Sequence, residues 1–212
     1  SVIKSSATMS GDRFGQTILL HDGLVLIGAP AWNDNSVGLE AVGHVAQYQL
    51  VDGLWSETGM LPSFTESAAA FGSTLSMRGT ELLVGAPGSN RSRGVVYAYE
   101  WQTDGSWAPK RTIRLTDGEV GDRFGSGIAH ADSAVWIGAP AQRDNEIGST
   151  YVYDFNDDGL MSDTPRRIQL ENTVERDWFG NAIYADGDMI VVSSPGMHHQ
   201  SGALVAYSSA TP

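Results

Sequence analysis

Four stretches of this sequence gather residues that could do chemistry. Trp32 stands beside Asn33, Asp34 and Asn35 in the stretch 31–43. An indole next to amides and a carboxylate is suited to stacking on a sugar ring or anchoring a partner surface; the plainer reading is an indole packed inward as a local loop core. Arg91 and Arg93 in 88–94, and Arg143 with Asp144 and Asn145 in 141–148, offer guanidinium clamps for a carboxylate or sulfate. Their plainer reading is solvated loop charge. His198 and His199 lie in 196–202, but adjacent side chains rarely point the same way, and no Cys or carboxylate stands at ligand spacing. They read as polar loop residues on the ligand side. Asp154, Asn156 and Asp158, followed by Gly159, match the first half of a calcium loop. The position of its bidentate Glu is Pro165, and Asp52-Gly53 and Asp104-Gly105 mark the same hairpin in other copies, so the plainer reading is a turn, with Ca2+ as an optional and incompletely ligated occupant. Catalytic signatures are missing: there is no nucleophile elbow, phosphate-cradling Gly loop, HExxH or recognisable carboxylate pair.

The elements that position these stretches repeat. Phe14–Pro30, Phe71–Pro87, Phe124–Pro140 and Phe179–Pro195 align without gaps, and the Phe residues recur at intervals of 57, 53 and 55 (71−14, 124−71, 179−124). Each copy reads as a hairpin. A first strand follows Phe-Gly, a tight turn contains Gly or Asp (Asp22-Gly23, Arg78-Gly79, Ala131-Asp132, Asp186-Gly187), and the second strand is a continuous apolar run closed by Pro. Gly28-Ala29, Gly85-Ala86 and Gly138-Ala139 let neighbouring sheets approach closely. A third strand carries Tyr48, Tyr99, Tyr153 or Tyr207, and a fourth strand follows an Asp-Gly turn in three copies. Trp55 and Trp107 precede that strand and read as packing residues. Asp12, Asp122 and Asp177 recur just before Phe-Gly and read as fixing the turn between units.

The fourth copy stops after its third strand, whereas residues 1–8 precede the first Phe-Gly as outer strands precede the others. The expected fold is all-β: a β-propeller of four four-stranded blades in one domain, residues 1–212. Its repeats are 9–63, 64–118, 119–173 and 174–212 with 1–8, and the N-terminal strand closes the last blade. Three arrangements fit this count: a four-bladed ring, an eight-bladed ring of two chains in which each N-terminal strand completes the partner's last blade, and a piece of a longer protein whose other repeats complete the ring.

The Phe-Gly and Gly-Ala-Pro pairs resemble the FG-GAP repeat family, which includes the propeller of integrin α subunits and many bacterial and algal surface proteins. Three copies keep both pairs; the fourth has Phe179-Gly180 with Ser193-Ser194-Pro195. The resemblance covers nearly the whole chain and implies a propeller whose variable loops on one face bind ligands. Integrin-type propellers have about seven blades, and their calcium loop lies between Phe-Gly and Gly-Ala-Pro. Here that segment is a tight turn in every copy, so those calcium sites do not carry over.

Composition narrows the partners. The formal net charge of −12 disfavours nucleic acid and anionic membrane surfaces. No Cys is present, which removes disulfides and thiolate zinc sites. No apolar run approaches the roughly 20 residues of a membrane helix, and residues 1–10 do not read as a signal peptide. The expected function is a non-catalytic extracellular or cell-surface module that takes a glycan or protein ligand, with no required cofactor. A structural or oligomerisation module of a larger secreted protein and a polysaccharide-active enzyme domain are the alternatives. The last would need a central cleft with clustered Tyr, His, Arg or carboxylate groups.

Overall fold

The computed structural model describes residues 2–36, 38–62, 66–141, 147–171, 174–187 and 189–208. The chain is all-β, of the β-propeller class, built from antiparallel meanders of blade type. The first sheet runs β1 (Thr17–His21), β2 (Leu24–Ala29), β3 (His44–Val51), β4 (Leu54–Met60). The second runs β5 (Thr74–Arg78), β6 (Glu81–Ala86), β7 (Val95–Trp101), β8 (Trp107–Ile113). The third runs β9 (Ile128–His130), β10 (Ala134–Ala139), β11 (Ser149–Asp154), β12 (Arg166–Ile168), and the last β13 (Ile183–Asp186), β14 (Met189–Ser194), β15 (Ala203–Ser208). Two compact units each hold two sheets: Ser1–Arg91 with Val95–Ile113, and Ser92–Gly94 with Arg114–Pro212.

Local chemistry sets the registers. Asp22 and Gly23 both take positive φ, 46° and 77°, and join His21 to Leu24 in a two-residue turn whose twist matches the strands. Asp52 and Gly53 do the same between Val51 and Leu54. The second strands β2, β6 and β10 are buried at almost every position, as their apolar runs require.

Neighbouring sheets within each unit meet at glycine. A Cβ on Gly28 would lie 2.2 Å from the Gly72 carbonyl oxygen, and one on Gly138 would lie 1.9 Å from that of Gly180. Within each unit a repeat Phe then locks one sheet to the next. Phe71 donates its N–H to the Val42 carbonyl and sits edge-on against Tyr97 and Tyr99, at 5.8 and 6.2 Å. Phe179 repeats this role in the second unit, donating its N–H to the Ile147 carbonyl and lying wholly buried. Trp107 donates its indole N–H to Gln47 across the first unit at 2.9 Å, and Trp55 packs on the Tyr48 cluster. Both are the packing residues their positions imply.

The N-terminal segment, expected as the outer strand of the last sheet, forms no strand among its described residues 2–8, and among the described residues that sheet has three strands, β13 to β15. Polar bonds and an apolar contact hold the segment on the first sheet instead. Ser6 N–H and Ser5 Oγ donate to the Glu57 carboxylate at 2.9 and 3.3 Å, and Ile3 packs with Val25, Ile27 and Tyr48.

Candidate functional site

The Asp preceding Phe-Gly serves the turn, as its recurrence implies. Asp12, Asp122 and Asp177 are buried, and each accepts the N–H three residues back, from Met9, Glu119 and Val174, at 2.6, 2.7 and 2.8 Å. This fixes the path into Phe-Gly. It also sets where the next loop departs, because Ala31, Gly88, Ala141 and Gly196 donate back to carbonyls of the same turns. Asp122→Ala is expected to cost about 1–2 kcal/mol, the scale of a lost cap, read from a urea unfolding midpoint.

The loop 31–43 is self-organised. Trp32 donates its indole N–H to the Ala7 carbonyl at 2.9 Å and tilts against the His44 ring at 5.3 Å. The indole is therefore half-buried and ties the N-terminal segment to the loop. Asn33 Oδ1 accepts the Ala41 N–H at 2.7 Å, and Asp34 Oδ1 accepts from Ser36 N–H at 3.0 Å while its backbone bridges to Leu39. Asn35 is exposed. The loop thus spends its Asn33 and Asp34 oxygens on its own shape and presents Asn35 and the free part of Trp32 outward.

The corresponding loop of the second sheet is a single turn, Ser89–Ser92, in which Asn90, Arg91 and Ser92 take φ of 53°, 59° and 60°. Consecutive left-handed non-glycine residues cost about 1–2 kcal/mol each, and such strain concentrates at functional positions. Arg91 points out exposed, while Arg93 is half-buried and bonds through Nε to the Gly118 carbonyl at 3.2 Å. Arg93 is thus an anchor and Arg91 the available cation. In the last sheet the turn Met197–Gln200 carries an exposed His198 with φ 55°. His199 belongs to that turn, and its side chain lies outside the described set, as do Arg143, Asp144 and Asn145.

The calcium-like stretch is held by protein groups. Both Asp154 oxygens accept from Arg166, at 2.9 Å each, and this bond holds the carboxyl below the usual range. Asn156 Oδ1 accepts the N–H groups of Asp158 and Leu160 at 3.1 and 2.8 Å. Among the described residues no three His, Cys, Asp or Glu side chains gather as a cation site. Because Asp154 and Arg166 are half-exposed, Asp154→Ala is expected to cost under about 1 kcal/mol. The depressed carboxyl places the pair's contribution above 3.8, to be lost on further acidification, so the variant should flatten stability only in the acid limb.

Two residues here carry no sequence signal. Glu57 receives Ser5, Ser6 and the Tyr48 hydroxyl; burial first, and then the Glu57 charge, push the Tyr48 phenol up to about 12. His44 is buried with an Nε2 that has no partner, and burial lowers its pKa against the opposing pull of Glu57 and Asp12. The neutral ring contributes stability above 6.5 that is lost as pH falls toward its lowered folded value. His44→Phe is expected to remove that slope in unfolding midpoints measured across pH.

Comparison with known proteins agrees with this architecture. Residues 107–153 match the FG-GAP repeat model, a span from β8 of the second sheet to β11 of the third. A solved structure assigned as a 6-phosphogluconolactonase, from Bacteroides uniformis, superposes with a TM-score of 0.53 at 13% identity. It matches 92% of this chain, and the chain spans 53% of its length. No curated protein matches. Residues 107–153 are thus similar to an FG-GAP repeat, within an all-β fold of propeller blades.

Proposed function

We propose that the protein is a non-catalytic, extracellular or cell-surface binding module that takes a glycan or a protein surface through the loops following the second strand of each blade. One observation carries this reading: the scaffold repeats closely while these loops diverge. The loop 31–43 folds around Trp32, 88–94 is a strained left-handed turn displaying Arg91, and 196–202 displays His198. Divergent loops on a repeated frame are where recognition concentrates. The exposed groups, an indole edge, an amide, a guanidinium and an imidazole, suit hydroxyls, carboxylates and sulfates. Their carboxylate neighbours are committed to turns, which supports binding over acid–base chemistry.

The test is a glycan and extracellular-protein array, run with calcium and with a chelator. Binding to one ligand class supports the module, and loss with the chelator adds calcium to it. Turnover of a phosphorylated gluconolactone, the reaction named for the B. uniformis structure, would overturn the non-catalytic reading.

A further inference from the structure

The turn before Phe-Gly is one backbone used four times, and its last copy breaks the pattern. Three residues and one residue ahead of the Phe, the chain takes positive φ in every repeat. The first and third repeats fill these steps with Gly11 and Arg13 and with Gly121 and Arg123; the second uses Ala68 and Ala70. The last uses Arg176, at φ 67°, and Trp178, at φ 53°. Glycine takes that conformation freely, whereas a Cβ makes it costly and a bulky side chain makes it rare. Ala68 and Ala70 show that small residues satisfy the turn. The turn itself therefore does not ask for a guanidinium and an indole at two left-handed steps. Strain of this kind clusters where side chains are held for recognition.

The next loop of the same unit adds a third group. Gly196 donates its N–H to the Asp177 carbonyl at 3.1 Å, and a Cβ on it would run into the Arg176 carbonyl oxygen. The turn Met197–Gln200 thus stands directly on residues 176–177 and carries His198 at φ 55°. Arg176 and His198 are exposed and Trp178 is half-buried. Asp177 is 1% exposed and holds the turn by accepting the Val174 N–H. All of these residues belong to the second compact unit. The turns at 68–70 and 88–92 repeat the backbone, with Asn90 and Ser92 at φ 53° and 60° where His198 and Gln200 take 55° and 69°. There, methyl groups stand at the steps of Arg176 and Trp178.

Charge selects among ligands. Glu175 is exposed beside Arg176, and Glu175 and Asp177 together outnumber that one guanidinium, within a chain of formal charge −12. An anionic sugar is repelled within the Debye length of about 8 Å, and a neutral one is not. An indole offers its face to the C–H groups of a pyranose, and guanidinium and imidazole offer hydrogen bonds to its hydroxyls. We propose that Arg176, Trp178 and His198 form a subsite for a neutral pyranose of an oligosaccharide. This rests on the binding-module reading and names the ligand class for the last repeat's face.

The test is calorimetric titration of the whole chain with neutral glucan, galactan and mannan pentamers and with an oligogalacturonate of the same length. Two variants install what the other repeats carry at the same steps: Arg176→Gly, as at Gly11 and Gly121, and Trp178→Arg, as at Arg13 and Arg123. A neutral pentamer is expected to bind, with an affinity insensitive to salt. Each variant is expected to lose about tenfold or more of that affinity while its unfolding midpoint is kept or raised. A purely structural role for the two side chains predicts the reverse, a lowered midpoint with full affinity, and would overturn the subsite. So would tighter binding of the oligogalacturonate than of every neutral pentamer. If the chain takes only an anionic glycan or a protein, the binding module stands and this subsite falls; if it takes no ligand of any class, both fall.

Discussion

Gly43→Ala is expected to destabilise the protein by about 3 kcal/mol or more, a large share of the roughly 5–15 kcal/mol that holds a domain folded. Gly43 immediately precedes β3 with φ +91°, a conformation costly to any residue with a Cβ. It is also where the first sheet meets the Phe of the next repeat. A Cβ there would lie 2.1 Å from the Phe71 carbonyl oxygen and 2.3 Å from its nitrogen, both backbone atoms that cannot turn aside. Gly53→Ala separates the two effects, because its φ is +78° with nothing within 4 Å of the added carbon. It should cost only about 1 kcal/mol. Equal unfolding midpoints for the two variants would show that the approach of Phe71 is not what Gly43 protects.

Phe71→Ala should cost about 3–5 kcal/mol, the range for emptying a buried aromatic site. Its ring lies between two tyrosines in the core of the first unit. Phe14 holds the same place in its repeat and meets Tyr48 at 6.3 Å, yet it is half-exposed. Phe14→Ala should cost only about 1–2 kcal/mol, in proportion to its smaller burial. Chemical denaturation of the two variants reads both, and equal losses would contradict the difference in burial.

The scaffold was legible because repetition averages out local ambiguity. Four copies of Phe-Gly and an apolar run ending in Pro determine strands, turns and phase together. The Asp12, Asp122 and Asp177 turns could be read because a ligand site has no reason to recur at the same step of a frame. The end of the pattern was less legible. Ile3 occupies the step of an outer-strand residue, but pairing depends on what lies across from it, and here Glu57 and Trp32 hold the segment on the first sheet. The loops were legible as places, not as shapes. That Asp34 would fold onto Ser36, Asp154 onto Arg166, or Trp32 onto His44 depends on contacts with no periodic signature. The left-handed turn at Asn90–Ser92 was likewise hidden, since nothing in Asn-Arg-Ser favours positive φ at three positions in a row.

The most direct measurement of the binding account is the affinity of an array-identified ligand for the wild-type chain and for Arg91→Ala with Asn35→Ala. Both side chains are exposed and serve no described turn through their side chains. The account predicts at least a tenfold loss of affinity, about 1.4 kcal/mol, with an unchanged unfolding midpoint. Full affinity in the double variant would place recognition elsewhere on the molecule and contradict it.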